Sequence, residues 1–313
     1  MKLKAIVLTV MLSAGLTYGQ YDYGFDFSKT GSAGLQFLKI GVGARESAMG
    51  EAVAASVKDA NAAFWNPAGL AYIDNYQAAF SHNNWLVDSR QIAASVAVPM
   101  GLFSLAVSAE SFAVNEFEET TVTNPDGTGR MVSAGDMLIG VAAARRFTDR
   151  LSIGAQIKYV REKLDEYSIG NVLFDVGAMY TTGFRNLRLG FVLQHFGPDM
   201  KLVNQSFRTP LLFRVNATDE IVDFSNVSWT AAFELVHSTD NVEVVNIGTE
   251  LKLYQMIFLR GGYRVNTDEG KMSLGFGIVS PEVSGMNLKF DYSFVRSEVV
   301  FQDIHRISVG FSF

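Results

Sequence analysis

The chain contains no cysteine, which excludes a disulfide framework, thiolate metal sites and anchoring as an acylated lipoprotein. Beyond the first two dozen positions no stretch approaches the 18 or so consecutive apolar residues that a membrane-spanning helix needs. A spanning structure, if there is one, must therefore be a closed barrel, the other form that pairs every backbone group where water is absent. Basic runs are missing too. With 26 Lys and Arg against 32 Asp and Glu the formal net charge is −6, and a generally acidic chain without a basic stripe argues against nucleic acid as a partner. Neither a Gly-x-Ser-x-Gly elbow nor a His-Glu-x-x-His pair occurs.

What is present begins with a leader. Lys2 and Lys4 precede the apolar run from Ala5 to Leu16, and Thr17, Tyr18 and Gly19 lead to Gln20. This pattern predicts a secretory signal peptide over residues 1–19, cleaved near Gly19/Gln20.

From about residue 76 the dominant period is two, which sends alternate side chains to opposite faces of a strand. Leu151, Ile153, Ala155, Ile157 and Tyr159 share one face, with Ser152, Gly154, Gln156 and Lys158 on the other. Leu187, Leu189, Phe191 and Leu193 oppose Arg188, Gly190, Val192 and Gln194, and the pattern returns over Val245 to Leu253 and Met286 to Phe294. Segments of this kind near 76–83, 89–99, 101–113, 135–147, 150–163, 171–182, 185–195, 208–218, 227–237, 243–254, 256–266, 270–280, 286–297 and 303–313 add up to roughly 14 strands. Tight turns at Pro99 to Gly101, Thr148 to Arg150 and Tyr254–Gln255 alternate with long connections at Asn115 to Ala134 and Gly197 to Phe207. Short periplasmic turns and long external loops have that rhythm.

A soluble β-sandwich also alternates faces. Two features favour an all-β transmembrane antiparallel barrel over 76–313. Charges lie well inside the strands, at Lys158, Arg188, Arg214, Glu234, Glu250, Lys252, Arg260, Lys289 and Asp291. On a lipid face each Lys or Arg near the midplane would cost about 2–4 kcal/mol, so they are expected to face the lumen. Tyr159, Tyr180, Trp229, Tyr254, Tyr263 and Tyr292 fall on the apolar phase toward strand ends, as interfacial girdles do. In the last strand Ile307, Val309, Phe311 and Phe313 alternate with polar or small residues. Phe311 and Phe313 resemble the terminal signal read by the barrel-assembly machinery.

Residues 20–75 read differently. Gly, Ala and short polar residues dominate, period two fades, and a short helix is expected within Ser47 to Val57. The stretch is too small to build its own core, so it is expected to form a plug inside the barrel. Trp65, Asn66, Pro67, Ala68 and Gly69 are its candidate hatch motif, with Asn66–Pro67 starting a turn because the residue before proline avoids the helical region. His195, His237 and His305 fall at strand ends on the apolar phase, where a neutral interfacial histidine accounts for them. Asn124-Pro125-Asp126-Gly127 reads as a turn in an external loop. No catalytic centre, cofactor or metal is expected.

The series Gly41-Val42-Gly43-Ala44-Arg45-Glu46-Ser47-Ala48-Met49-Gly50-Glu51-Ala52, followed by Asp59-Ala60-Asn61-Ala62-Ala63-Phe64-Trp65-Asn66-Pro67-Ala68-Gly69-Leu70 and Ser81-His82-Asn83-Asn84-Trp85-Leu86, resembles the N-terminal signature of the PorV/PorQ family. Glu51 stands where that family commonly has a second glycine. The resemblance implies a FadL-like 14-stranded outer-membrane barrel. It also implies a role in type IX protein secretion, with a translocon and cargo C-terminal domains as partners alongside outer-membrane lipid. The alternative within the same superfamily is a transporter that passes a hydrophobic small molecule through the lumen.

Overall fold

The computed structural model describes residues 31–202, 205–282, 284–298 and 302–313. The expected leader and residues 20–30 lie outside the described residues. The wall begins with β1 (Gln77–Asn84), β2 (Arg90–Met100), β3 (Phe103–Glu118), β4 (Met131–Arg146), β5 (Leu151–Leu164), β6 (Tyr167–Thr181) and β7 (Arg188–Phe196). A small hairpin of β8 (Met200–Leu202) and β9 (Gln205–Phe207) interrupts it. The wall resumes with β10 (Leu212–Phe224), β11 (Val227–Ser238), β12 (Val244–Leu253), β13 (Ile257–Val265), β14 (Met272–Val279), β15 (Asn287–Val295) and β16 (Ile304–Ser312). These 14 wall strands pair antiparallel in sequence order, and β16 closes on β1 from Gln77–Ser312 to Asn84–His305. Closure leaves the wall without a free edge.

Burial decides between barrel and sandwich. In β5, Ser152, Gly154, Gln156, Lys158 and Val160 are buried, whereas Ile153, Ala155, Ile157 and Tyr159 are exposed. The same inversion runs round the wall, with Val141, Phe174, Phe191, Phe233, Leu259, Phe276 and Ile307 all outward and exposed. A sandwich would bury these residues. A surface of this kind is stable only against an apolar medium.

The end at which β1 starts and β16 stops is called lower here, and the opposite end upper. Beyond the upper rim marked by the Arg90–Ala113 pair, β3 continues five residues to Glu118, paired with Met131 of β4. The connection expected over Asn115 to Ala134 is therefore strand at both ends, and β3–β6 rise as a flap roughly 15 Å above their neighbours. β10 likewise runs from Leu212 to Phe224 and not over 208–218, with a bulge between Glu220 and Val222.

Residues 33–75 enter the lumen. They form a 3-10 turn (Gln36–Lys39), helix α1 (Ala44–Ala48), helix α2 (Ala62–Trp65) and a second 3-10 turn (Pro67–Tyr72). The single helix expected within Ser47 to Val57 is thus displaced: α1 ends at Ala48, and positive φ at Gly50 and Glu51 turns the chain away. The segment has no core of its own. Met49, Val53, Val57, Trp65, Leu70 and Ile73 pack on inward alanines of the wall, Ala97, Ala106, Ala142, Ala144 and Ala232. Nearer the upper end, Leu35, Phe37 and Leu38 pack on Leu138, Val160 and Leu173.

Candidate functional site

Close approach of the segment to the wall requires glycine. Gly154, Gly177, Gly190, Gly248, Gly262 and Gly275, on six different strands, each face backbone or side-chain atoms of residues 48–68. A Cβ on Gly154 would lie 2.5 Å from Ala68 N, one on Gly190 2.6 Å from Ala54 O, and one on Gly275 2.5 Å from Ala48 Cβ. Polar wall side chains satisfy the segment's backbone. Ala44 N donates to Ser308 Oγ at 2.8 Å, Ala54 N to Glu234 Oε2 at 3.0 Å and Ala55 N to Asn216 Oδ1 at 3.2 Å. These partners sit on β16, β11 and β10, so the segment is held from several sides of the lumen.

Within the candidate motif, Trp65 is buried and its Nε1 donates to Val42 O at 2.8 Å, while the Arg214 guanidinium lies 5.1 Å from its ring centre. Asn66, fully buried, caps the following turn through Ala68 N to Oδ1 at 3.1 Å; its Nδ2 donates to Ala54 O at 2.6 Å and Ala178 O at 3.3 Å. Pro67 occupies the first position of that turn, where a missing N–H costs nothing. Ala68 and Gly69 are buried beneath it, Gly69 against Val57.

The structure distributes seven of the nine charged residues over three networks and leaves two outside them. Lys158 Nζ donates to Asp175 Oδ2 at 2.6 Å and lies 2.7 Å from His195 Nδ1. Arg214 Nη1 donates to Glu234 Oε1 at 2.9 Å, with Gln194 and Asn216 completing the group. Arg260 joins Glu250 (2.6 Å) to Asp291 (2.7 Å), Lys289 reaches Asp291 at 3.3 Å, and Arg45 of the segment joins at Glu250 (3.2 Å). Arg188 and Lys252 lie on the inward phase toward the lower end, Lys252 beside Ser228 and Phe258. Phe311 and Phe313 project outward, and the Phe313 ring stacks on Tyr76 at 6.0 Å.

His195 is a correction. It is not an interfacial residue on the apolar phase but is buried in the lumen with its backbone N–H donating to Asp175 Oδ1 at 2.7 Å. The cause is a register shift between β6 and β7, where one extra residue at positive φ puts Gln194 and His195 on the same side. His237 and His305 do face outward.

Sequence reasoning missed Glu46, Glu51, Glu110, Asp175, Asn246, Arg264 and Arg306. Neither oxygen of the fully buried Glu46 accepts a hydrogen bond; burial, reinforced by Asp59, pushes its carboxyl above the usual range. Glu51 has φ of 65°, a conformation that costs a non-glycine residue about 1–2 kcal/mol. Its carboxylate is engaged by Arg264 at 3.5 Å.

A cavity of about 640 Å³ opens at the upper end. Its floor is Leu35, Phe37 and Ile40 of the segment, and Phe112, Leu212 and Val236 add apolar wall. The opposite side is polar. Fully buried Asn246 lines it with neither amide atom hydrogen-bonded, and the Arg264 Nε is also unsatisfied. Next to it a smaller recess holds buried Arg306, whose Nε has no partner and whose guanidinium lies 5.4 Å from the Trp85 ring centre. Carboxylates line the polar side too, among them Glu51, Asp136, Glu162 and Glu269, and buried polar groups without partners beside a roomy cavity that is apolar on one side suit an amphipathic molecule.

No family model and no curated sequence matches the chain. Solved structures do. The toluene transporter TbuX of Ralstonia pickettii superposes with a TM-score of 0.63 at 13% identity, over 87% of this chain and 97% of that one. The toluene transporter TodX of Pseudomonas putida gives 0.61 at 14%, with the same coverage. A Pseudomonas aeruginosa FadL homologue gives 0.55 at 13%, over 85% of this chain and 97% of that one. At such identities the likeness is one of architecture: this chain has the fold of these barrels, a closed wall of 14 antiparallel strands.

Proposed function

We propose that this protein sits in the outer membrane of a Gram-negative cell and takes up hydrophobic or amphipathic small molecules through its lumen. The observation that carries this reading is the upper cavity, to which the segment brings Leu35, Phe37 and Ile40 and whose other side holds Asn246 and Arg264 with buried polar atoms lacking partners. The apolar outer surface supports the membrane placement, and the fold shared with toluene transporters and a FadL homologue supports the class of cargo. In this reading the leader directs export, Phe311 and Phe313 serve insertion by the barrel-assembly machinery, and residues 20–75 act as a plug whose Trp65–Gly69 turn must shift for cargo to pass. The charged residues Arg214, Glu234, Glu250, Arg260, Lys289 and Asp291 hold the plug rather than line a water channel, because their partners are the segment and one another, while Lys158 is taken up by Asp175 and His195 of the wall.

Trp85 reports on the cavity. Refolded protein in nanodiscs, titrated with toluene and separately with octanoate, should change its tryptophan emission, and Trp85→Phe should remove the change. No response to either probe, together with proteoliposomes that take up neither faster than empty vesicles, would falsify the transport reading.

The second reading, a PorV/PorQ-like component of type IX secretion that docks a translocon or cargo C-terminal domains, is favoured by the Gly41–Leu70 signature and by the β3–β6 flap standing above the rim. Mild-detergent purification from the native membrane separates the two. A co-purifying large barrel translocon or cargo domains would favour docking, and a lone barrel carrying small amphiphiles would favour transport.

A further inference from the structure

The lower rim carries a group of cations, one of them on the lumenal segment, that takes no part in the ion pairs described above or in the upper cavity. Lys58 Nζ lies 4.5 Å from the centre of the Tyr72 ring, and the Arg146 guanidinium lies 4.6 Å from the same centre. Two cations thus share one aromatic ring. Arg188 is close enough for its charge to act on Lys58, and its Nε is buried without a partner. Arg146 and Arg188 both fall on the inward phase of their strands, at the ends of β4 and β7 that bound the lumen.

Among the described residues, no carboxylate lies within 4.0 Å of Lys58, Arg146 or Arg188. The nearest acidic influences are Glu220, felt by Lys58 and Arg188, and Asp219, which the Arg185 guanidinium already engages at 3.5 Å. A fourth group points to what is missing. Ser152 pairs with Arg146 across β4 and β5, so the two side chains stand on the same face as direct neighbours. Ser152 is fully buried and its hydroxyl has no hydrogen-bond partner.

Like charges gathered at one ring repel, and a buried hydroxyl and guanidinium N–H left unsatisfied are each costly. One oxyanion relieves all of these at once. It neutralises the cations, accepts from Arg188 and Ser152, and presents the several acceptor oxygens that forked guanidinium donors recognise.

We propose that Lys58, Arg146, Arg188 and Ser152 form a binding site for a phosphate-type oxyanion at the lower rim of the lumen. The chemistry is that of a phosphate group, supplied either by a lipid headgroup of the adjoining leaflet or by a free phosphate in solution. The site is separate from the upper cavity and does not depend on what the barrel passes. Burial, and after it the charges of Arg188 and Arg146, bring the Lys58 ammonium down to about 8. A bound anion would raise it again.

The test uses the full chain, refolded and checked for heat-modifiable migration, as wild type, as Arg146→Gln/Arg188→Gln and as Arg146→Lys/Arg188→Lys. In detergent, inorganic phosphate is titrated by calorimetry. In parallel, nanodiscs of phosphatidylglycerol mixed with a phosphate-free galactolipid are read by native mass spectrometry for retained lipid. The wild type should bind at least one source. The Gln pair should weaken that binding by roughly tenfold or more, and the Lys pair should retain most of it. Binding of inorganic phosphate identifies a free-anion site, and selective retention of phosphatidylglycerol alone identifies a headgroup site. Binding of neither source, or a folded Gln pair that binds as the wild type does, overturns the proposal.

Discussion

Gly261 and Gly262 stand next to each other in β13 and face opposite ways. A Cβ on Gly261 would meet Thr249 Cγ2 at 3.7 Å and Leu274 Cδ2 at 3.8 Å, ordinary contacts on the outer surface. A Cβ on Gly262 would lie 2.5 Å from Gly50 Cα, with Gly50 N nearer still. To restore van der Waals distance the plug would have to retreat by roughly 1 Å. Gly50 has little freedom to do so, since its own φ is +61° and the wall stands so close that a Cβ on Gly50 would itself lie 3.0 Å from Ile247 O and Tyr263 N. Overpacking of this kind costs about 1–3 kcal/mol. That would raise the open fraction of the plug by about 5- to 150-fold at roughly tenfold per 1.4 kcal/mol. Gly262→Ala should therefore increase leak conductance in planar bilayers and speed proteolysis between residues 31 and 75, while the barrel keeps its heat-modifiable migration. Gly261→Ala should change neither. If the two variants leak and digest alike, the wall glycines do not hold the plug.

Other perturbations test the same anchoring. Glu234→Ala strands three buried donors, Ala54 N, Arg214 Nη1 and Asn216 Nδ2. It should cost about 3–5 kcal/mol, read as a lowered thermal midpoint, with Glu234→Gln milder. Asn66→Ala removes a cap and two donor contacts and should cost about 1–2 kcal/mol; hydrogen exchange at Ala68 and Gly69 would show it, and protection equal to wild type would contradict the capping role. At the upper end Lys39 Nζ donates to Asp240 Oδ2 at 2.8 Å. Burial alone would raise the Asp240 carboxyl, but hydrogen bonds from Lys39, Ser238 and Gln36 bring it below the usual range. A depressed acid stabilises above its unfolded value and loses that stabilisation as pH falls through the folded one. Protection of Gln36 to Lys39 should therefore fall only below about pH 4, and Asp240→Asn should abolish the pH dependence.

The strands were legible where one face is uniformly apolar, as in β5, β7, β12 and β15, because lipid imposes that uniformity. Legibility failed where both faces turn polar toward or beyond a rim. In β3, Glu116 and Glu118 flank Phe117, so a continuing strand reads as loop. Asp219, Glu220 and Asp223 hid the lower part of β10 in the same way. His195 escaped because a bulge reverses the phase on which period-two reasoning depends. The segment inside the lumen shows in the sequence as a compositional break, but its local structure does not. α1 and α2 span only five and four residues, too short to stand without the wall. The glycines on the polar phase, Gly154, Gly190 and Gly248, were visible as small residues; that each faces another backbone is a tertiary fact.

The lumenal segment precedes β1 in the chain yet is hydrogen-bonded to β16, the last strand of the wall, through Ala44 and Ser308. It also reaches β6, through Asn66 to Ala178, and β11, through Ala54 to Glu234. A wall shut beforehand would have to admit some forty residues through a lumen whose glycines leave no slack. The order of events in assembly is thereby constrained: the curved sheet must gather around the first-made segment, and the seam between β1 and β16 is sealed last.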